Sequence, residues 1–264
     1  MQVFRAIWLF RGFILGSVRR EFTRKYVRSV FGFAWSIFEP LSMILVYTLI
    51  FTSVMQARLP GIEDGWSYSI YLCAGIVTWG YFAETLQRCQ TVFLDHASLL
   101  KKSSFPRITL PLIVLISTTI NFLIIFSLLI IFLLLIDRFP GPDVVLMLPI
   151  LVIQQMLAIG LGMLTGTLNV FFRDVGKSIG ILLTFWFWTT PIVYPLSIVP
   201  EPMQLLIAQW NPMAGVVAFY QAILLQESLP PLHSIYPALL LAILLFSLGY
   251  WSFRASSADL VDEL

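Results

Sequence analysis

Residues 19–40 read RREFTRKYVRSVFGFAWSIFEP, a dense basic segment running directly into a long apolar one. Arg19, Arg20, Arg24, Lys25 and Arg28 fill the first part, and apolar side chains dominate from Phe31 onward. Cations just before a spanning segment stay on the cytoplasmic side during insertion, because moving them across the bilayer is unfavourable. The N-terminus is therefore expected inside, and that assignment fixes the side of every later loop.

Composition places the chain among polytopic, all-α membrane proteins. Of its 264 residues, 59% are hydrophobic and only 11% charged, against roughly 25% charged in an ordinary soluble domain, and the mean hydropathy is +0.90. A net charge of +2 is too small to point to nucleic acid. Cys73 and Cys89 have no metal-ligand or disulfide spacing and read as packing residues.

Upstream of the quoted stretch, Phe4, Ile7, Trp8, Ile14, Leu15, Val18 and Phe22 share one face at about 100° per residue, with Arg5, Arg19, Arg20 and Arg24 off it. Arg11 and Lys25 interrupt that face. Residues 1–30 are thus expected to form an amphipathic helix in the cytoplasmic interface, its aromatic face in lipid and its cations near anionic headgroups. A basic anchor with no other role is the plainer reading. The scattered arginines leave no continuous apolar core for a cleavable signal peptide.

Downstream, six segments approach the roughly 20 residues that cross a bilayer as a helix: 35–55, 68–88, 108–136, 144–172, 179–194 and 236–253. Six spans put both termini in the cytoplasm. Fourteen of the sixteen Lys and Arg residues then lie inside, and only Arg58 and Arg138 outside. That bias supports the topology.

Between the fifth and sixth segments come Pro191, Pro195, Pro200 and Pro202, then two apolar runs, 203–210 and 213–225, divided by Asn211-Pro212. Neither run is long enough to cross, and prolines bound both. They read as two re-entrant half-helices dipping in from the outer side, where irregular backbone is tolerated if protein buries it. An external loop on the bilayer surface is the alternative.

Catalytic motifs are scarce. Gly176-Lys177-Ser178 resembles the end of a phosphate-binding loop, but Phe171 stands where that motif needs glycine. His96 and His233 have no partner at metal-ligand or triad spacing. Glu39 and Glu84 are the carboxylates within spans, and neither sits at mid-membrane, where ion-coupled carriers place theirs. The energy for any transport should therefore come from a partner.

The motifs that remain are spread along the chain in order: the basic stretch leading to Gly32, Trp35 and Pro40; Leu99-Leu100-Lys101-Lys102 followed by Phe105-Pro106 and Leu110-Pro111; Phe172-Arg173-Asp174-Val175; Thr190-Pro191 with Tyr194-Pro195; and Asn211-Pro212. Together they make the sequence similar to the membrane subunit of type-2 ABC exporters of the polysaccharide kind, the permeases that move lipid-linked O-antigen, capsule or teichoic-acid chains.

The resemblance implies a homodimer in the bacterial plasma (inner) membrane, two cytoplasmic ABC ATPase subunits carrying ATP and Mg, no cofactor on this chain, and a channel along the dimer axis. Residues 31–264 would be the permease domain, and the chain itself would not be an enzyme. On that template Leu99, Leu100, Lys101, Lys102, Phe105, Pro106 and Arg107, with Arg173 and Asp174, couple to the ATPase. Pro191, Tyr194, Pro195, Asn211 and Pro212 belong to the outer gate. A polysaccharide needs weak, repeated binding surfaces, and aromatic faces supply them. Trp35, Phe38, Trp79, Tyr81, Phe82, Phe185, Trp186, Phe187 and Trp188 are the candidates, with lipid-facing or interface packing the alternative for each. Gly162 and Gly166, four apart, permit close helix packing within a subunit or between two. An exporter of a smaller lipid or drug shares this fold. A membrane-embedded glycosyltransferase would show clustered acidic or histidine residues at the membrane face.

Overall fold

The computed structural model describes residues 8–26, 29, 31–54, 59, 65–102, 107–256 and 263. Among them every regular element is helical. In chain order these are α1 (Arg11–Tyr26), α2 (Trp35–Thr48, continued by a wider turn over Leu49–Val54), α3 (Ser67–Asp95), α4 (Ala97–Lys102) and α5 (Thr109–Leu135). There follow α6 (Met147–Phe171), α7 (Asp174–Thr189), α8 (Glu201–Trp210), α9 (Pro212–Leu225) and α10 (Tyr236–Ala255).

Among the described residues, three stretches are long and apolar enough to cross a membrane: Thr109–Leu135, Gly141–Phe171 and Leu232–Ala255. The boundaries depart from the sequence expectation in two places. The helix expected over 68–88 continues to Asp95, because Leu86, Cys89, Gln90, Val92 and Phe93 extend its buried face. The helix expected over 179–194 begins at Asp174 and stops at Thr189, where Thr190 turns extended (φ −95°, ψ 133°). The ring of Pro191 excludes the helical conformation at the residue before it. At 16 residues α7 is about 24 Å long, short of a roughly 30 Å hydrocarbon core.

The two runs beyond the prolines differ sharply. In α8 only Ile207 is buried, whereas α9 is buried along nearly its whole length and packs on α3, α6 and α10. Its left-handed C-cap at Gln226 (φ 59°) and the bond from Glu227 N to Ala222 O close its last turn.

At the centre stands α6, flanked by α10 and α3, its two most extensive neighbours. Glycine makes both approaches possible. A Cβ on Gly160 would strike the backbone of Leu245 and Phe246, and one on Gly249 would strike the carbonyl of Gly160. On the other face, a Cβ on Gly162 would lie 2.6 Å from Cys89 Cβ, and one on Gly166 would lie 2.8 Å from Cys89 O. Gly162 and Gly166 therefore pack within the subunit. Cys89 and Cys73 are buried free thiols.

Two apolar clusters stack along the bundle. The larger joins α3, α5, α6, α9 and α10 through residues such as Phe82, Leu129, Leu157, Val217 and Ala242. The smaller lies at the end rich in Lys and Arg, where Ile14 and Val18 of α1 meet Phe93, Leu100, Leu110 and Phe253. This corrects the expectation for the N-terminal helix. Ile14 and Val18 are buried against protein, while Leu15 and Trp8 remain exposed. Arg88 of α3 fastens α1 in place, pairing with Glu21 of α1 and with Glu84 of its own helix (3.4 Å). Asn121 of α5 completes the set by donating to Glu84 (2.8 Å). Phe4, Arg5, Ile7 and Arg28, and the side chains of Arg24 and Lys25, lie outside the described residues.

Gly162→Ala should lower the thermal midpoint of the purified protein by several degrees, since overpacking a tight contact costs about 1–3 kcal/mol. Gly180→Ala, whose Cβ meets nothing within 4 Å, should leave the midpoint unchanged or raise it.

Candidate functional site

The chain between α7 and α8 contains residues without helical hydrogen bonding, so its carbonyls need other partners. Side chains from α3 and α9 supply them. The Tyr71 hydroxyl lies 2.9 Å from both Pro191 O and Tyr194 O and shares its one proton between them. Tyr68 donates to Val193 O (2.6 Å), and Gln221 Nε2 reaches Pro191 O (3.3 Å) and Tyr71 O (3.4 Å). Gly75 makes room for this arrangement: a Cβ there would lie 3.0 Å from both Gln221 Nε2 and the buried Ile192.

Asn211 is the second fastening. Its Oδ1 accepts from Trp186 Nε1 (2.8 Å) and Met213 N (3.0 Å), and its Nδ2 donates to Thr189 O (3.1 Å) and Thr190 Oγ1 (3.0 Å). Two donors and two acceptor positions are all an asparagine amide has, and here each is used. The residue thus caps α9 while tying it to the end of α7. Pro212 follows at the first helical position, where a missing N–H costs nothing. Tyr194 donates to Trp188 O (2.9 Å), and Pro195 leads into a short turn, Leu196–Ile198.

These contacts bring Pro191, Tyr194, Asn211 and Pro212 into one assembly with Trp186. Sequence reading missed Tyr68, Tyr71 and Gln221. The available signal was polar side chains inside apolar runs, which a bilayer-buried helix tolerates only with partners.

At the opposite end Phe172 is extended and breaks α6 from α7, and Asp174 opens α7, where its charge complements the helix dipole. Arg173 and Asp174 are exposed. Asn169 steadies this corner, accepting from Gly176 N (2.9 Å) and donating to Gln90 O of α3 (3.4 Å). In α4, Lys101 is exposed, but Leu100 is buried at 3% exposure, with Leu99 packed on the same cluster. Leu100 is therefore an internal anchor and offers no surface to a partner. Arg107 is half-buried beside α5; Phe105, Pro106 and the side chain of Lys102 lie outside the described residues.

The aromatic candidates also divide. Trp79, Tyr81 and Phe82 are buried, Phe82 fully, packed on Trp186, Phe187 and Phe122. In this structure they are core side chains and do not face a channel. Trp35, Phe38, Phe185 and Trp188 are exposed, and Trp186 and Phe187 are half-buried.

Tyr71→Phe should cost about 1–3 kcal/mol, because it leaves Tyr194 O without its donor and Pro191 O with Gln221 alone. Asn211→Asp removes both donated bonds and should do the same, measured as a lower thermal midpoint or faster proteolysis after α7.

Residues 14–225 match the family described as "ABC-2 type transporter". The chain is 30% identical over 231 residues to the O-antigen export system permease protein RfbA of Myxococcus xanthus, covering 87% of this chain and 86% of that protein. It is 31% identical over 194 residues to a protein of the same name from Klebsiella pneumoniae (73% and 72% covered). A second Klebsiella pneumoniae protein of that name is 28% identical over 206 residues (78% and 77% covered). With apolar helices of spanning length and a match over most of its residues, this chain is a multi-pass membrane protein belonging to the ABC-2 type transporter family.

Proposed function

We propose that the chain is the membrane-spanning subunit of an ATP-driven exporter that carries lipid-linked polysaccharide of the O-antigen kind out of the bacterial cytoplasm. The observation that carries this reading is similarity to an O-antigen export permease along nearly the full length of both proteins. Hydrolysis falls to two separate cytoplasmic ABC ATPase subunits, which bind ATP with Mg. This chain contributes the path and has no catalytic centre of its own.

Six spans run α2, α3, α5, α6, α7 and α10, with residues 1–30 as the cytoplasmic interfacial element and residues 31–264 as the permease domain. The Arg- and Lys-rich end, carrying α1, α4 and the Arg173-Asp174 corner, faces the cytoplasm. Both termini lie there too. Exposure of Lys101, Arg173 and Asp174 supports this end as the ATPase docking face, with Leu99, Lys102, Phe105, Pro106 and Arg107 alongside. At the opposite end α8 and α9 form the re-entrant outer gate, and burial of α9 among α3, α6 and α10 supports its lying at membrane depth.

A second copy of the chain completes the channel. Trp35 and Phe38 of α2, stacked edge-to-face with Phe31, and Phe185 and Trp188 of α7 are large aromatics left exposed in one subunit. Their faces suit sugar rings, which need apolar area with little directional demand.

Expressed with its ATPase in a strain lacking its own O-antigen permease, the chain should restore polymer at the cell surface. Phe105→Ala should insert normally but lose roughly thirtyfold in ATPase affinity, the effect of truncating an interface anchor worth about 2 kcal/mol. On a background lacking Cys73 and Cys89, Ser228→Cys should label from outside and Arg173→Cys should not. Polymer retained inside cells that carry inserted wild-type protein and ATPase would overturn the function.

A further inference from the structure

A cavity of about 420 Å³ lies between the 191–196 turn, α9 and the segment 227–234 that leads to α10. Its size falls within the roughly 300–1,000 Å³ of small-molecule sites. Rigid residues form much of its wall: Pro191, Pro195, Pro230 and Pro231, with alanines from α8 and α9. Proline and alanine have no rotamers to lose, so a ligand meets a surface whose ordering is already complete.

The segment 227–234 is fixed at both ends. Gln226, in the left-handed region, donates from Nε2 to Phe139 O (2.6 Å), and a Cβ on Gly215 of α9 would strike the carbonyl of Ser234.

Against this wall stand polar groups with hydrogen-bonding capacity left. Glu227, Ser228 and His233 line the cavity and are exposed, and their side chains have no hydrogen-bond or ionic partner among the described residues. Gln221 lines it at 4% exposure; its Nε2 reaches Tyr71 O and Pro191 O, while its Oε1 accepts nothing from the described residues. An acceptor on so buried a side chain is costly to leave without a donor, and a ligand hydroxyl relieves it.

Carboxylate and amide oxygens accept, while a serine hydroxyl and a neutral imidazole both accept and donate. Such a mixture beside a flat apolar wall matches a sugar ring, with hydroxyls on its rim and C–H groups on its faces. A hydrocarbon would take water from these polar groups and return no bond. An acidic ligand would meet the Glu227 carboxylate, and this end of the bundle adds Asp137, Asp143 and Glu201 against Arg138 among the described residues.

We infer that this cavity is a subsite for uncharged sugar units of the polymer as it leaves, and that Glu227 makes it discriminate against acidic ones. The inference rests on the reading of the chain as a polysaccharide exporter with this end outward, and adds to it the class of polymer that suits the exit.

Saturation-transfer NMR on the full-length chain in nanodiscs tests it, with tetrasaccharides of glucose, mannose and galactose as uncharged probes and tetragalacturonate as an acidic competitor. At least one uncharged probe should receive saturation. Ser228→Trp, which fills the cavity from an exposed position, should remove that signal, and Leu229→Trp, on the same segment but outside the cavity wall, should not. Glu227→Gln should improve tetragalacturonate as a competitor by about fourfold, the effect of one unit charge opposed at about 5 Å in water. Saturation of no uncharged probe, a signal indifferent to Ser228→Trp, or tetragalacturonate competition unchanged in Glu227→Gln would overturn the inference. Surface polymer restored by the wild-type chain without any saturation would overturn the subsite alone, whereas failed restoration would overturn the exporter reading on which it rests.

Discussion

The close approach of α6 to both α3 and α10 is the constraint on which the remaining packing depends. In lipid no hydrophobic force drives helices together, so their association relies on van der Waals contact and on polar groups pairing across the interface. Gly160 and Gly249 let α6 and α10 touch backbone to backbone, and Gly162 and Gly166 let α3 seat Cys89 directly against α6. Once α3 is held there, polar side chains complete the join: Gln154 donates to Thr78 O (2.8 Å), Gln155 to Thr119 (3.0 Å) and Thr85 to Thr118 (3.0 Å).

The proline-rich turn between α7 and α8 inherits its geometry from that scaffold. Tyr68 and Tyr71 stand on the first turns of α3, and Gln221 on α9, so the carbonyls of Pro191, Val193 and Tyr194 are held by two elements packed around α6. Asn211 then links α9 to α7, which otherwise packs on α3 and α6. The arrangement sets a well-packed centre of α3, α6, α9 and α10 beside two more exposed helices, α2 and α7, which carry exposed aromatics such as Trp35, Phe38, Phe185 and Trp188.

Much of this was legible in the sequence. Hydropathy located α2, α5, α6 and α10 to within a few residues but ended α3 about seven residues early and set α7 about five residues late, and proline and Asn-Pro marked α8 and α9, because those residues act through local backbone sterics. What depends on side chains distant in sequence was not legible. The four-residue spacing of Gly162 and Gly166 was visible, but whether it joined subunits or helices of one chain was decided by Cys89, more than seventy positions away. Ile14 and Val18 had the pattern of lipid-facing residues and became core because α5 and α4 fold over them. Trp79, Tyr81 and Phe82 had the chemistry of sugar-binding residues, yet helix rotation turned them inward. Local pattern sets which residues can be buried; the neighbours that bury them are a tertiary fact.

Amide hydrogen exchange in the full-length protein tests the central role of α6 most directly, with wild type compared to Gly162→Ala. If α6 holds α3 and α10 by close contact, protection should fall together in α3 near residues 86–93, in α10 near 245–250 and in the turn at 190–195, which touches α6 nowhere in the bonds that hold it. Loss of protection confined to α6 itself, or an unchanged pattern throughout, would contradict it.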